Sequence, residues 1–319
     1  MTKTIYVLSE GRLSVDENVY RFDSNGELIR FPPYETESIE IYGGGSLTSG
    51  VFSLSSKNNI PIHFFGYYGN YEGTYWPKEV HFSGDLSIRQ SALFLDFNKR
   101  IELCNILVNG IRTNMKATLV HYKSTYDELF NNEVQKKSVQ DLMMEEGRLW
   151  KKYYSEIDTI VFEPFRLEQR IKHPTLNHGN SLISFLNSLL YAEIITQCRH
   201  VSLNPSISFY HAPTRSRFSL ALDISEIFKP AFISRIFISL CNKSIIQANE
   251  KHFDDDHIVL LNKEGKQIVL KEWEKYMSTT LWNQKLSRNV SHREQIKFEL
   301  FKLIKHYNRI ENYSPFVMR

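Results

Sequence analysis

The spacing of apolar residues changes period once along this chain, and that change constrains the fold more than any other feature. Over the first eighty or so residues, apolar side chains come in short runs alternating with polar ones, as half-buried strands require. Beyond about residue 85 they recur at three- and four-residue intervals, as one-sided helices require. Ile5–Leu8, Arg12–Val15, Val19–Phe22 and Leu28–Phe31 are bounded by turn residues such as Glu10-Gly11, Asp16-Glu17 and Asn25-Gly26, which predicts a hairpin meander. Ser38–Tyr42 alternates and stops at Gly43-Gly44-Gly45; a short helix over Thr48–Lys57, a buried strand Ile60–Phe65 and an aromatic hairpin Tyr67–Trp76 follow. The triple glycine lacks the lysine and spacing of a phosphate-binding GxxxxGK[ST] loop and reads as a tight turn.

In the second part, Ile88, Leu95, Leu103, Leu107 and Ile111 lay out one helix between Ser87 and His121. Further helical stretches are expected over 127–138, 139–154, 180–200, 219–228, 231–243 and 292–307, with a strand pair His257–Leu261 and Gln267–Leu270 joined by a turn at Asn262–Lys266. The fold class is α+β: a small β-sandwich-like domain, residues 1–85, then a larger, mainly α-helical catalytic domain, residues 86–319.

Composition narrows the function. At 42% hydrophobic and 24% charged, the chain can bury a core, which excludes wholesale disorder. No apolar run approaches the roughly 18 residues of a membrane span, and the opening Met1–Val7 has no secretory h-region. Cys104, Cys198 and Cys241 never form CxxC and read as reduced core thiols, so a cytoplasmic protein without membrane partners is expected. Residues 1–90 carry 7 Lys and Arg against 11 Asp and Glu, whereas the remainder carries 32 against 25. That asymmetry suits partner contact by the β part and polyanion contact by the helical part, beside the alternative of an ordinary solvated surface.

Three segments concentrate potential ligands. In Glu145-Glu146-Gly147, a glycine inside a strong helical pattern needs a packing or access reason, because it costs about 1 kcal/mol relative to alanine. Tyr210-His211-Ala212-Pro213 sets a histidine on a loop beside Arg215 and Arg217. In Leu220–Phe228, apolar residues 220, 224, 227 and 228 mark one helix face while Asp223 and Glu226 share another. His211, Asp223 and Glu226 thus form an oxygen-and-nitrogen set suited to Mg²⁺ or Mn²⁺, or else ordinary surface charge. Asp254-Asp255-Asp256 between His252 and His257 is better read as a solvated loop than as a second metal site.

These segments also carry a resemblance. Glu146-Gly147 with Tyr153-Tyr154, then Asn180–Phe185, Leu189–Tyr191, Phe209-Tyr210-His211 and Arg217–Ile224 through Phe228-Lys229-Pro230 resemble, in order, the CRISPR-associated adaptation integrase (Cas-one) family. Ile60–Phe65 with Gly73 and Trp76-Pro77 fits as well, and the likeness runs over roughly residues 4 to 310. Departures are Tyr210, where leucine is common, and Glu226, one carbon longer than the aspartate of some members. The resemblance implies metal-dependent DNA cleavage and integration of captured DNA into a repeat array. It places metal ligands on Glu146, His211 and Glu226 and an assisting or orienting carboxylate on Asp223, all four counted as catalytic. It implies a homodimer, and two dimers around a dimer of a small second adaptation protein (Cas-two) as a heterohexamer; the net negative charge of the β domain, which disfavours DNA contact, and its aromatic strands predict that this domain makes the homodimer contact. Arg215 and Arg217 are positioned in sequence to grip DNA phosphates. A catalytically silent DNA-binding scaffold and a small-molecule metal phosphohydrolase are the competing readings.

Overall fold

The strand-like residues at the start of the chain fold into two four-stranded sheets rather than one meander. The computed structural model describes residues 2–66, 68–78, 83–124, 126–171, 174–213, 218–255, 257–284 and 286–318, and its contacts divide the chain into Met1–His81 and Phe82–Arg319. The first unit contains β1 (Lys3–Val7), β2 (Gly11–Asp16), β3 (Val19–Ser24), β4 (Glu27–Phe31), β5 (Thr36–Ile41), β6 (Gly45–Leu47), α1 (Ser49–Asn58), β7 (Ile62–Phe65) and β8 (Tyr71–Tyr75). Only β2, β3 and β4 form the expected antiparallel meander. β1 leaves it to pair in parallel with β5, in the sheet β1-β5-β7-β8. β6 arises where the glycine turn was expected and runs parallel to β2. The glycines permit that approach: a Cβ on Gly45 would stand 2.4 Å from the Gly11 carbonyl oxygen. Leu13, Tyr20, Phe22 and Phe31 of one sheet and Ile39, Ile41 and Ile62 of the other share one core, closed by Val51 and Leu54 of α1. The aromatic hairpin is β7–β8, and Tyr67 lies outside the described residues.

In the second unit the single helix expected between Ser87 and His121 is two, α2 (Gly84–Leu95) and α3 (Phe97–His121). Asp96 divides them because its side chain accepts the Lys99 N–H and caps α3. The helix expected over 127–138 is a single 3-10 turn, Glu128–Phe130, followed by extended chain. Asn109 exchanges two bonds with the Val134 backbone, and Asn105 two with that of Lys136, pinning the segment to α3. Helices α4 (Val139–Ile160), α5 (His178–His200) and α6 (Ser219–Phe228) follow, then a π turn Lys229–Ile233 and α7 (Ser234–Asn242). The hairpin β9 (Phe253–Asp255) and β10 (Val259–Leu261) precedes α8 (Lys263–Ser278), so Gln267–Leu270 is helix rather than strand. Asn262 accepts the Gly265 N–H and starts that helix; the apparent turn sequence is an N-cap. A second hairpin, β11 (Thr280–Asn283) and β12 (Arg288–Ser291), leads into α9 (His292–Tyr307) through a capping box of Ser291 and Glu294.

Residues 313–318 form a strap across this unit. The Glu299 carboxylate accepts the Tyr313 hydroxyl and the Phe316 N–H, while Asn114 on α3 donates to the Phe316 carbonyl and accepts the Met318 N–H. Asn114 also donates to Ile227 of α6, and the Phe316 ring stacks on Phe228. Within the described residues, no helix is long and apolar enough to cross a membrane. Cys104, Cys198 and Cys241 are buried and free of disulfides.

Candidate functional site

Helix α4 buries Leu142, Glu146, Leu149, Tyr153 and Ile157, so a glutamate stands in an apolar stripe spaced at three and four residues. Its carboxylate accepts bonds from Trp150 Nε1, one turn on, and from the Tyr210 hydroxyl, each at 3.0 Å. Both donors are neutral. Burial, reinforced by the nearby Glu226 charge, outweighs Trp150, His211 and Tyr210 and pushes the Glu146 carboxyl up to about 7. Glu145, by contrast, pairs with Lys136 and Arg148 at 3.3 Å, an ordinary surface arrangement. A Cβ on Gly147 would meet nothing within 4 Å, so packing is not the reason for that glycine.

The second half comes from the segment before α6 and from α6 itself. All of α6 but Leu222 is buried, so Asp223 and Glu226 do not share a solvated face. Asp223 is wholly enclosed: one oxygen accepts the N–H groups of Phe209 and Tyr210, the other the N–H of His211, all at 2.9 Å. The second oxygen also accepts His211 Nδ1–H at 2.8 Å, which sets the tautomer and leaves Nε2 as the nitrogen directed elsewhere. Arg100 donates to the carbonyls of Phe209 and Tyr210 and holds the same loop from its other edge. Burial pulls the His211 pKa down, but the Asp223 bond and charge, with Glu226 and Glu146, outweigh it and leave the ring's pKa raised.

Glu226 accepts a short bond from Lys229, three residues on, and Lys229 lies 6.0 Å over the Trp150 ring. Trp150 therefore bonds to Glu146 through its N–H and lies beneath the ammonium that pairs with Glu226. The four expected residues occupy one electrostatic neighbourhood, since Glu146 responds to both Glu226 and His211. Sequence reasoning missed Trp150, Tyr210 and Lys229. The available signals were Trp at i+4 from Glu146, Lys at i+3 from Glu226, and a tyrosine in a leucine's place. Arg215 and Arg217 lie outside the described residues.

The donor chemistry of the cluster is hard oxygen plus one imidazole nitrogen, and two buried carboxylates that raise each other's energy match a divalent cation. As the side chains stand, their partners are protein donors, and among the described residues no three His, Cys, Asp or Glu side chains form a ready metal-ligand group. Asp254 and Asp255 are strand residues of β9 rather than loop, His252 accepts the Gln247 N–H, and Asp256 lies outside the described residues.

A β unit followed by a helical unit with a buried acid–histidine cluster defines a class of chain equipped for cation-assisted or acid–base chemistry. Residues 5–275 match the family described as CRISPR associated protein Cas1, and the chain belongs to that family. CRISPR-associated protein Cas1 1 of Methanobrevibacter ruminantium is 41% identical, covering 99% of this chain and 98% of its own. The CRISPR-associated endonuclease Cas1 of Methanothermobacter thermautotrophicus is 40% identical, covering 99% and 95%. A solved Cas1 protein from Thermotoga maritima superposes with a TM-score of 0.89 at 34% identity, covering 99% of this chain and all of that one. A casposase bound to integration product has the same fold, with a TM-score of 0.89 at 20% identity over 98% of this chain and 93% of that one.

Proposed function

We propose that this chain is the endonuclease and integrase of CRISPR adaptation, with Glu146, Glu226 and His211 holding Mg²⁺ or Mn²⁺. The observation that carries the reading is Glu146: a buried carboxyl pushed to about 7 beside a second glutamate. Burial of such a pair costs stability unless a cation or substrate uses it, which disfavours the silent-scaffold reading. A bound divalent ion would acidify an attacking hydroxyl and offset charge on phosphoryl oxygens.

The protein's own groups account for the rest. In integration a DNA 3′-hydroxyl oxygen bonds to a repeat phosphorus as the strand's P–O bond breaks; with water as nucleophile the outcome is cleavage. His211, held through Nδ1 by Asp223, offers Nε2 to the nucleophile's proton or as a nitrogen ligand. Lys229, paired with Glu226 in the metal-free chain, would add positive charge for a phosphate oxygen if that carboxylate held a cation instead. Asp223 has all its acceptor positions engaged by the loop and acts as a positioning residue. Relatives named as Cas1 endonucleases support the nuclease activity, and solved assemblies titled as Cas1–Cas2 and Cas1–DNA complexes support DNA and a small second adaptation protein as partners. Two homodimers around a dimer of that partner form the proposed assembly. Three buried free thiols support a reducing compartment, the cytoplasm.

Glu146→Ala tests the site. With a labelled 3′-hydroxyl DNA, a repeat-bearing target and Mg²⁺ or Mn²⁺, joining and cleavage should fall at least about a thousandfold while DNA affinity stays near wild type. Wild-type joining by that variant would refute the assignment. Homodimerisation through the β unit is supported by Leu28 and Ile29, exposed on edge strand β4. Ile29→Asp should shift the protein to monomer in light scattering, and an unchanged dimer would place the contact elsewhere.

A further inference from the structure

Glu226 already has a cation beside it. Its carboxylate pairs with the Lys229 ammonium, and the Glu226 and Lys229 side chains are only 12% and 16% exposed. A pair so withdrawn from water is screened far less than one on the surface, and it engages the carboxylate that a divalent ion needs. Two cations on one carboxylate would stand a few ångströms apart and repel. Glu146 is held differently, by two neutral donors, Trp150 and Tyr210.

The backbone fixes where the lysine starts. Lys229 opens the π turn Lys229–Ile233, its N–H bonds to the Ser225 carbonyl, and the next carbonyl, of Pro230, accepts the Thr118 hydroxyl from α3. Trp150 offers a place for it to go. The ammonium lies 6.0 Å over the indole ring, a face that attracts cations. That ring is itself held, by the bond from its N–H to Glu146 and by stacking on Tyr154 at 5.2 Å. The flexible four-carbon stem lets the ammonium leave Glu226 along this face while the backbone stays in place.

We propose that Lys229 is an internal counter-ion that competes with the divalent cation for Glu226 and, once displaced over Trp150, is kept for a DNA phosphate oxygen. The proposal rests on the metal site assigned to Glu146, Glu226 and His211. It gives that site a guard: Lys229 weakens ion binding in the free protein and aids the reaction when DNA brings a phosphate. Removing its charge therefore moves metal affinity and reaction rate in opposite directions, which a side chain that merely supported the fold would not do.

The test titrates Mn²⁺ alone into the full, chelator-treated chain and reads affinity by calorimetry. Lys229→Met should bind Mn²⁺ at least about tenfold tighter than wild type, yet join a 3′-hydroxyl DNA to a repeat-bearing target more slowly at saturating Mn²⁺. Lys229→Arg keeps the charge and should bind Mn²⁺ no tighter than wild type. Lys151→Met removes an exposed charge from α4 and should change affinity less than about twofold, which separates direct competition from the general field of the helical unit. Without metal, Lys229→Met should melt below wild type, because Glu226 loses its counter-charge, and Mn²⁺ should raise its melting temperature by more than it raises that of wild type. Were Lys229→Met not to fold without metal, Lys229→Gln, which keeps a donor for Glu226 but not the charge, takes the same titration with the same expected direction. Mn²⁺ affinity equal to or below wild type in these uncharged variants would make Lys229 a structural residue and overturn the proposal. So would an equal gain from Lys151→Met. Glu146→Ala tells two failures apart. If wild type binds Mn²⁺ and Glu146→Ala does not, an unchanged Lys229→Met refutes the lysine's role alone; a wild type without saturable Mn²⁺ binding refutes the metal site and that role together.

Discussion

Helix α6, with the 209–211 segment that bonds to it, and the middle of α4 each bury a carboxylate, and they treat it in opposite ways. Asp223 accepts three backbone N–H groups and an imidazole N–H. Glu146 accepts only two bonds, both from neutral side chains, with a second glutamate nearby. A carboxylate so fully bonded is a fixture of the fold, whereas one left short of positive charge is available to an incoming cation. Burial alone therefore does not mark a reactive acid; what else its oxygens hold does.

Asp223→Asn should break the first arrangement. The amide cannot accept on both sides, so buried N–H groups of the 209–211 loop lose partners, and urea unfolding should show a loss of about 3 kcal/mol. The His211 pKa should fall, since its main raising influence is gone. An Asp223→Asn protein as stable as wild type would mean the loop holds itself.

A pH series sharpens the contrast. Glu146 keeps its proton in the folded chain up to about 7, while in the unfolded chain it ionises at the ordinary glutamate value. Stability of the metal-free protein should therefore fall as pH rises through the interval between those two values, by about 2–3 kcal/mol. The raised His211 pKa acts in the same direction: its contribution is present at low pH and is lost as pH rises through its folded value. Unfolding with chelator present at pH 5 and pH 8 measures the sum, Glu146→Gln should remove most of it, and added Mg²⁺ should stabilise more at pH 8 than at pH 5.

The smallest effect is at Gly147. Alanine there meets open space and should stabilise α4 by up to about 1 kcal/mol. If the open flank of Glu146 serves DNA approach, the more stable variant should integrate several-fold more slowly; full activity would separate the glycine from the substrate path.

How much of this was legible in the sequence varied with how local the cause was. The bounds of α6 and α9 follow from apolar periodicity and punctuation, and both appear where expected. The extended segment after Phe130 was read as helix because its holders, Asn105 and Asn109, lie some thirty residues upstream. Gln267–Leu270 contains β-branched residues that read as strand, yet the cap at Asn262 decides the conformation. In the site, the four acid and histidine positions were named, but their burial was not: Asp223 and Glu226 were placed on a polar face that does not exist. Glu146 could have been recognised as buried from its place between Leu142 and Leu149, a signal of spacing rather than of residue type.

The strap over residues 313–318 carries a consequence for how the protein is made. Asn114 meets Met318 across a sequence separation of 204, and the same side chain holds the helix that bears Glu226. During translation, α3 and α6 must exist for a long interval with Phe228, Phe232 and the Asn114 amide lacking their final neighbours. Contacts of such separation close late and slowly. Until that strap is in place, the packing around α3 and α6 stays incomplete, and the helix that bears Glu226 lacks part of its support.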